Sequence, residues 1–143
     1  MYDIIFVCTG NTCRSPMAEA IAAWLAPKGR FSSMGVAAVE GTAASHNARL
    51  AVAEHGLSLE NHRSRKVDKI HLAHAKHVLA MTEGHLRHIK QICPDANSCT
   101  IHSFVGSDGD ISDPFGGDLD VYKECLKEIR KLVEDCVKKL YGD

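Results

Sequence analysis

Cys8 and Arg14 stand six positions apart in the run Val7-Cys8-Thr9-Gly10-Asn11-Thr12-Cys13-Arg14-Ser15-Pro16. A thiolate is a strong nucleophile. A guanidinium is a planar fork that grips two phosphoryl oxygens at once, which a lysine does only as a point charge. Between them, Gly10 and Asn11 are the residue types that tolerate left-handed backbone angles. Upstream, Tyr2 to Val7 is a short β-branched and aromatic run of the kind that forms a buried strand. Downstream, Ser15-Pro16 offers an N-cap followed by proline at the first helical position. The loop is therefore expected between a strand's carboxyl end and a helix's amino end, where backbone N–H groups and the helix dipole form a nest for an anion. Those fields favour a thiolate at Cys8 and a dianionic phosphoryl group beside it. Ser15 is placed to give its hydroxyl to the thiolate or to the leaving sulfur. Thr9, Gly10, Asn11, Thr12, Cys13, Arg14 and Ser15 are the expected phosphate binders, with Cys8 as attacking group and Arg14 neutralising equatorial charge. A buried strand-end cysteine, the commonest fate of a free thiol, would leave the arginine and the loop residues without a purpose.

The elements that must position this loop alternate along the chain. After the first strand come a helix from Ser15 to Pro27, a strand from Phe31 to Val36 and a helix from Ser45 to His55 that stops at Gly56. A polar link with Asn61-His62-Arg63-Ser64-Arg65 leads to a short helix over Asp68 to Ala75, then a third strand at His77 to Met81. A helix from Gly84 to Ile92 ends before Pro94, and a fourth strand is expected from Cys99 to Phe104. Gly106 to Gly117 is dense in Gly, Asp, Ser and Pro and reads as a long loop, of the length that is functional or mobile in compact domains. The last helix, Asp118 to Leu140, carries Tyr122, Leu126, Ile129, Leu132, Val133, Cys136, Val137 and Leu140 at helical spacing. The fold class that follows is α/β: a four-stranded parallel sheet, doubly wound, with helices on both faces and a ligand site at the carboxyl ends of the strands.

With 143 residues the chain is expected to form one domain, residues 1–143, with a real core. A net charge of −1 argues against a dedicated nucleic-acid or anionic-membrane binder. No apolar run approaches a membrane span, and a strand begins at once, which leaves no room for a signal peptide. Six cysteines without a secretory segment imply reduced thiols in a cytoplasm. No metal is expected: His71, His74 and His77 rotate around a helix or pass into a strand, Cys93 and Cys99 flank Pro94 outside zinc-knuckle spacing, and Cys125 and Cys136 read as core.

Val7 through Glu19 resembles the signature of the low-molecular-weight protein tyrosine phosphatase family, and Asp113-Pro114-Phe115 resembles that family's second signature, the general-acid loop. His55-Gly56, His62-Arg63-Ser64-Arg65 and Val78-Leu79-Ala80-Met81-Thr82 resemble its helix end, its His-x-Ala/Ser-Arg segment and its third strand, so the likeness spans nearly the whole chain. An Asp-Pro pair alone is a turn signal; beside the nucleophile loop, Asp113 is the candidate acid that protonates the leaving group as its bond to phosphorus breaks. The resemblance further implies that Asp113 later serves as base for water attacking a cysteinyl-phosphate, that Phe115 walls the pocket, and that Asn11 is held by His62. It implies a phosphorylated protein as partner, phosphate or another oxyanion in the active site, no cofactor, no nucleic acid and no membrane.

Tyrosine phosphatases of the family usually carry Ile or Leu where Thr12 stands, and commonly Tyr where Phe115 stands. Here Cys-Thr-Gly-Asn-Thr-Cys-Arg and Asp-Pro-Phe-Gly-Gly together resemble the bacterial protein arginine phosphatase branch. A threonine hydroxyl at the pocket wall orients water or a polar guanidinium, where an aliphatic wall packs an aromatic ring. Phosphoarginine is the expected substrate and phosphotyrosine the alternative. An arsenate reductase of the same fold would need a redox cysteine close after the third strand, where Met81-Thr82 stand. A noncatalytic phosphate-binding module would leave nucleophile and acid unexplained. Cys13 shares the loop with Cys8, and a nearby thiol traps an oxidised thiolate as a disulfide, so Cys8 and Cys13 form a candidate redox pair.

Overall fold

The computed structural model describes residues 1–142. Its first strand, β1 (Ile4–Cys8), is buried on both faces, with no residue more than 2% exposed. That is what a continuous apolar run requires of a central parallel strand. Alternate side chains point to opposite sides. Ile4, Phe6 and Cys8 enter one core layer, and Ile5 and Val7 enter the other. The remaining strands are β2 (Phe31–Gly35), β3 (His77–Ala80) and β4 (Ser98–Thr100), all parallel in the order β2-β1-β3-β4.

Helices cover both faces. Helix α1 (Arg14–Leu25), α2 (His46–Ala53), the short α5 (Ile101–Phe104) and α6 (Leu119–Tyr141) contribute to the layer under Ile4 and Phe6. Helices α3 (Lys69–His74) and α4 (Glu83–Ile92) cover the opposite side. The expected apolar stripe of α6 faces the core: Tyr122, Cys125, Leu126, Ile129, Leu132, Val133 and Cys136 are buried, and Val137 and Leu140 pack at its edge. The chain runs outward from β1 to β2 and then crosses back to β3, so the order reverses between β1 and β3. In doubly wound sheets the crevice at that reversal, outside the carboxyl ends of the strands, is where ligands bind.

Two local expectations are corrected. Helix α1 begins at Arg14 and not at Ser15; Cys13 is its N-cap, with no side-chain capping bond. Pro16 therefore sits inside the first turn, where no intrahelical N–H bond is lost. The fourth strand stops at Thr100, whose hydroxyl accepts the Ser103 N–H and turns Ile101–Phe104 into a helical turn. Ile101 and Phe104, three positions apart, share one face of that turn and are both buried by it, whereas in a strand they would point to opposite faces.

Candidate active site

The loop after β1 is shaped by Asn11, the only non-glycine residue with positive φ (57°) among those described. Its side chain is fully buried and fully bonded. Oδ1 accepts the Arg65 N–H at 2.9 Å, and Nδ2 donates to Ser15 Oγ and Ser33 Oγ, each at 2.9 Å. His62 Nε2 lies 2.7 Å from the Asn11 carbonyl oxygen, an acceptor, so the histidine donates there. The expected pairing of Asn11 with His62 thus runs through the main chain, while Ser15, Ser33 and Arg65 hold the amide. Ser33 in turn donates to Glu19 at 2.6 Å, whose carboxyl is shifted upward by burial.

Cys8 Sγ is 2.9 Å from Ser15 Oγ. Ser15 Oγ accepts the Asn11 amide, and its one proton has two acceptors within reach, the Cys8 sulfur and, farther off at 3.5 Å, the Met34 carbonyl oxygen; given to the sulfur, it supports a thiolate. Among the described residues, the amides of Gly10 through Arg14 donate no backbone hydrogen bond within the chain. Together with the first turn of α1 they supply donors for an anion.

Arg14 is buried. Its Nη1 donates to the Ile111 carbonyl at 2.8 Å, and Nη2 lies 3.4 Å from Thr9 Oγ1 and 3.6 Å from Asp113 Oδ2. The long loop is therefore fastened at the guanidinium. Two further bonds fix it to the end of β3: Ile111 N–H to the Met81 carbonyl at 3.0 Å, and Glu83 N–H to Asp110 at 2.8 Å. Ile111 is fully buried, whereas Asp113 is half exposed and Phe115 is 78% exposed. Asp113 Oδ1 accepts the Phe115 N–H at 3.0 Å, which orients the carboxyl at the pocket mouth.

Cys8, Thr9, Gly10, Thr12, Cys13, Arg14, Asp113 and Phe115 line one cavity of about 240 Å³. Asn11 and Ser15 lie behind it, and His62 braces the loop from outside. Cys13 is both wall and packing: its sulfur is 3.3 Å from Ser45 Oγ, the cap of α2, and 3.3 Å from Tyr122 Oη. Burial and the bond to Cys13 push the Tyr122 hydroxyl up to about 12. Burial likewise pushes the Cys125 and Cys136 thiols up to about 12, so these two remain inert core groups.

Three residues escaped the sequence reading. A Cβ on Gly35 would sit 2.5 Å from the Thr9 carbonyl oxygen and 2.9 Å from the Asn11 nitrogen, so only glycine lets the loop rest on the end of β2. Ile111 anchors the long loop, and its one signal was a large aliphatic residue in a polar stretch. His85, from α4, touches Thr9 and left no signal beyond a Thr-x-x-His cap pattern.

The chain matches the model of a family described as low molecular weight phosphotyrosine protein phosphatase over residues 3–143. It is 45% identical to a protein-arginine-phosphatase of Geobacillus stearothermophilus, over 97% of this chain and 96% of that one. It is 39% identical to the low molecular weight protein-tyrosine-phosphatase PtpB of Staphylococcus epidermidis, over 92% of this chain and 94% of that one. The solved YwlE arginine phosphatase of Geobacillus stearothermophilus superposes with a TM-score of 0.92 at 44% identity, covering 98% of this chain and 93% of that one. A family match over residues 3–143, joined to relatives that share nearly its full length and to a four-stranded parallel sheet that superposes on theirs, settles the assignment: the chain belongs to the low-molecular-weight phosphotyrosine protein phosphatase family.

Proposed function

We propose that the protein removes phosphate from phosphoarginine in proteins through a cysteinyl-phosphate at Cys8. The observation that carries the chemistry is one small cavity holding the Cys8 thiol 2.9 Å from Ser15, the buried Arg14 fork and the Asp113 carboxyl at the mouth. In the first step the Cys8 thiolate attacks phosphorus and the P–N bond breaks, while the Asp113 carboxyl gives its proton to the departing guanidino nitrogen. Arg14 and the loop amides take the charge of the equatorial oxygens. In the second step the Asp113 carboxylate takes a proton from water, the water oxygen bonds to phosphorus, and the S–P bond breaks to return the thiolate. The route calls on no metal or cofactor.

Substrate choice rests on Thr12, a hydroxyl in the cavity wall, and on the relatives named as arginine phosphatases at 45% and 40% identity. Phosphotyrosine is the second reading, favoured by the 39% identity to a tyrosine phosphatase and by the exposed Phe115 ring, a face for an aromatic substrate. Turnover of matched peptides carrying phosphoarginine or phosphotyrosine tests the choice; a higher kcat/KM for phosphotyrosine overturns it. The Cys8→Ser variant should lose turnover yet still bind phosphate or vanadate, since Arg14 and the amides survive. Substantial hydrolysis by that variant would rule out the covalent route.

The partner is a phosphorylated protein, with phosphate or a like oxyanion occupying the loop. The near-neutral charge fits neither a nucleic acid nor an anionic membrane. Among the described residues no helix is long and apolar enough to cross a membrane. The free thiols of all six cysteines fit a reducing cytoplasm. Cys8 and Cys13, both lining the cavity, form a redox pair in this reading.

A further inference from the structure

His85 lies at the first turn of α4, far in sequence from the nucleophile loop, and is only 6% exposed. Its Nε2 is 2.8 Å from Thr9 Oγ1 and its Nδ1 is 3.0 Å from Thr82 Oγ1. Thr9 Oγ1 is also the nearer partner of Arg14 Nη2, at 3.4 Å against 3.6 Å for Asp113. A continuous line therefore joins the cap of α4 to the guanidinium: Thr82, His85, Thr9, Arg14. We infer that His85 is a positioning residue that orients the Thr9 hydroxyl, so that this one group buttresses Arg14 with its oxygen and presents its proton to the bound phosphoryl group.

The donor count selects the arrangement. Thr82 Oγ1 already accepts the His85 backbone N–H at 3.1 Å. If Nδ1 also donated to it, that oxygen would receive two protons from one residue and its own proton would have no partner. If Thr82 instead donates to Nδ1, the ring carries its proton on Nε2 and gives it to Thr9. Thr9 then accepts from His85 and from Arg14, and its own proton is left for an acceptor in the cavity it lines. An anion there completes every bond in the line. The ring must be neutral for this, and it is: burial, with the adjacent Arg14 charge, lowers its pKa to about 4. An imidazolium would leave Thr9 an acceptor as before, but would donate from Nδ1 as well, so that Thr82 Oγ1 took two protons from His85 and kept its own without a partner.

This inference rests on the phosphoryl-transfer reading of the loop, and its test separates the two. Steady-state hydrolysis of an aryl phosphate and inhibition by inorganic phosphate are measured for wild type, His85→Ala, His85→Gln, Thr9→Ala and the His85→Ala/Thr9→Ala double variant. His85→Ala should lower kcat by about 10- to 100-fold, the scale of a misplaced catalytic group, and weaken phosphate inhibition. His85→Gln, which keeps one donor and one acceptor, should recover most of that loss. Thr9→Ala should match His85→Ala, and the double variant should fall no further. Long-range 15N correlation spectra of the wild-type protein with phosphate should show the Nε2–H tautomer for His85. Additive losses, equal damage from Gln and Ala, an unaffected His85→Ala, or an Nδ1–H or cationic ring would each overturn it. A wild-type protein that turns over neither an aryl phosphate nor a phosphoarginine peptide would instead sink the phosphatase reading itself.

Discussion

Thr12 and Cys13 occupy neighbouring positions in the same wall, and each carries a separate consequence. Thr12 supplies a small polar surface to a pocket of about 240 Å³, whose other mouth residues are Asp113 and Phe115. Replacing it by isoleucine removes the hydroxyl and adds aliphatic bulk suited to a ring. Thr12→Ile is expected to shift the phosphoarginine to phosphotyrosine ratio of kcat/KM by about 10- to 100-fold toward tyrosine, the size of effect a pocket wall supplies. An unchanged ratio would remove Thr12 from specificity. The Cys13 thiol donates to Ser45 Oγ and lies against Tyr122 Oη, while the residue faces the cavity it shares with Cys8. Peroxide should convert the Cys8 thiolate to a sulfenic acid, and the Cys13 thiol should then attack that sulfur and expel water, leaving a disulfide. Wild-type activity should return with dithiol, whereas Cys13→Ser should be lost irreversibly at the same dose. Mass spectra of the oxidised protein without a Cys8–Cys13 link would refute the pairing.

At the scale of elements, the loop is held by backbone that passes close beneath it. Val36 N–H bonds to the Cys8 carbonyl and Ala37 N–H to the Thr9 carbonyl, both at 2.9 Å, so the exit of β2 runs along the loop. Gly35 is the point of closest approach. Gly35→Ala would press a methyl onto main-chain atoms that cannot swing aside, so the loop must move. We expect a stability loss of about 2 kcal/mol in urea unfolding, typical of overpacking, together with a marked loss of phosphate affinity. Wild-type phosphate inhibition in that variant would show that the loop tolerates the shift. The elements themselves were largely legible: β1 and α6 declare their periods, and Gly56 and Pro94 mark helix ends. What failed was local competition. Ser15-Pro16 carries the signature of a cap, yet the Ser15 hydroxyl is committed to Cys8 and Asn11, and the helix starts one residue earlier. In Cys99 to Phe104 the residue types suit a strand, and only the Thr100 cap, a three-dimensional fact, decides for a turn of helix. Gly35, Ile111 and His85 were illegible for a different reason. Each acts across a long sequence separation, 97 positions in the bond from Arg14 to Ile111 and 76 in that from Thr9 to His85, and no pattern within one segment encodes such a meeting.

For the whole molecule, the reversal of strand order brings the exits of β1 and β3 side by side, and the site is assembled from both. Through that assembly the protein's stability is tied to pH. His85 sits where the two exits meet, facing Arg14, Asp110, Asp113 and His88, and burial with the Arg14 charge lowers its pKa from 6.5 to about 4. In the unfolded chain the ring takes a proton near its ordinary value of 6.5, while in the folded protein it refuses one until about pH 4. Between those values the unfolded state holds more protons, so stability present above pH 6.5 is lost as pH falls toward 4. His77, also lowered, by burial and then by Lys139, acts in the same direction. Glu19, raised by burial, acts in the opposite one, because its folded carboxyl binds a proton more readily than an unfolded one. The His85 contribution should amount to about 2 kcal/mol between pH 7 and pH 5, at about 1.4 kcal/mol for each unit of displaced titration. Urea unfolding at the two pH values resolves it: wild type should lose stability on that scale, and His85→Gln, which keeps the hydrogen bonds without a titrating ring, should lose far less. His77 and Glu19 are common to both proteins and cancel in the difference. Parallel losses in wild type and variant would show that His85 is not the group through which acid weakens the fold.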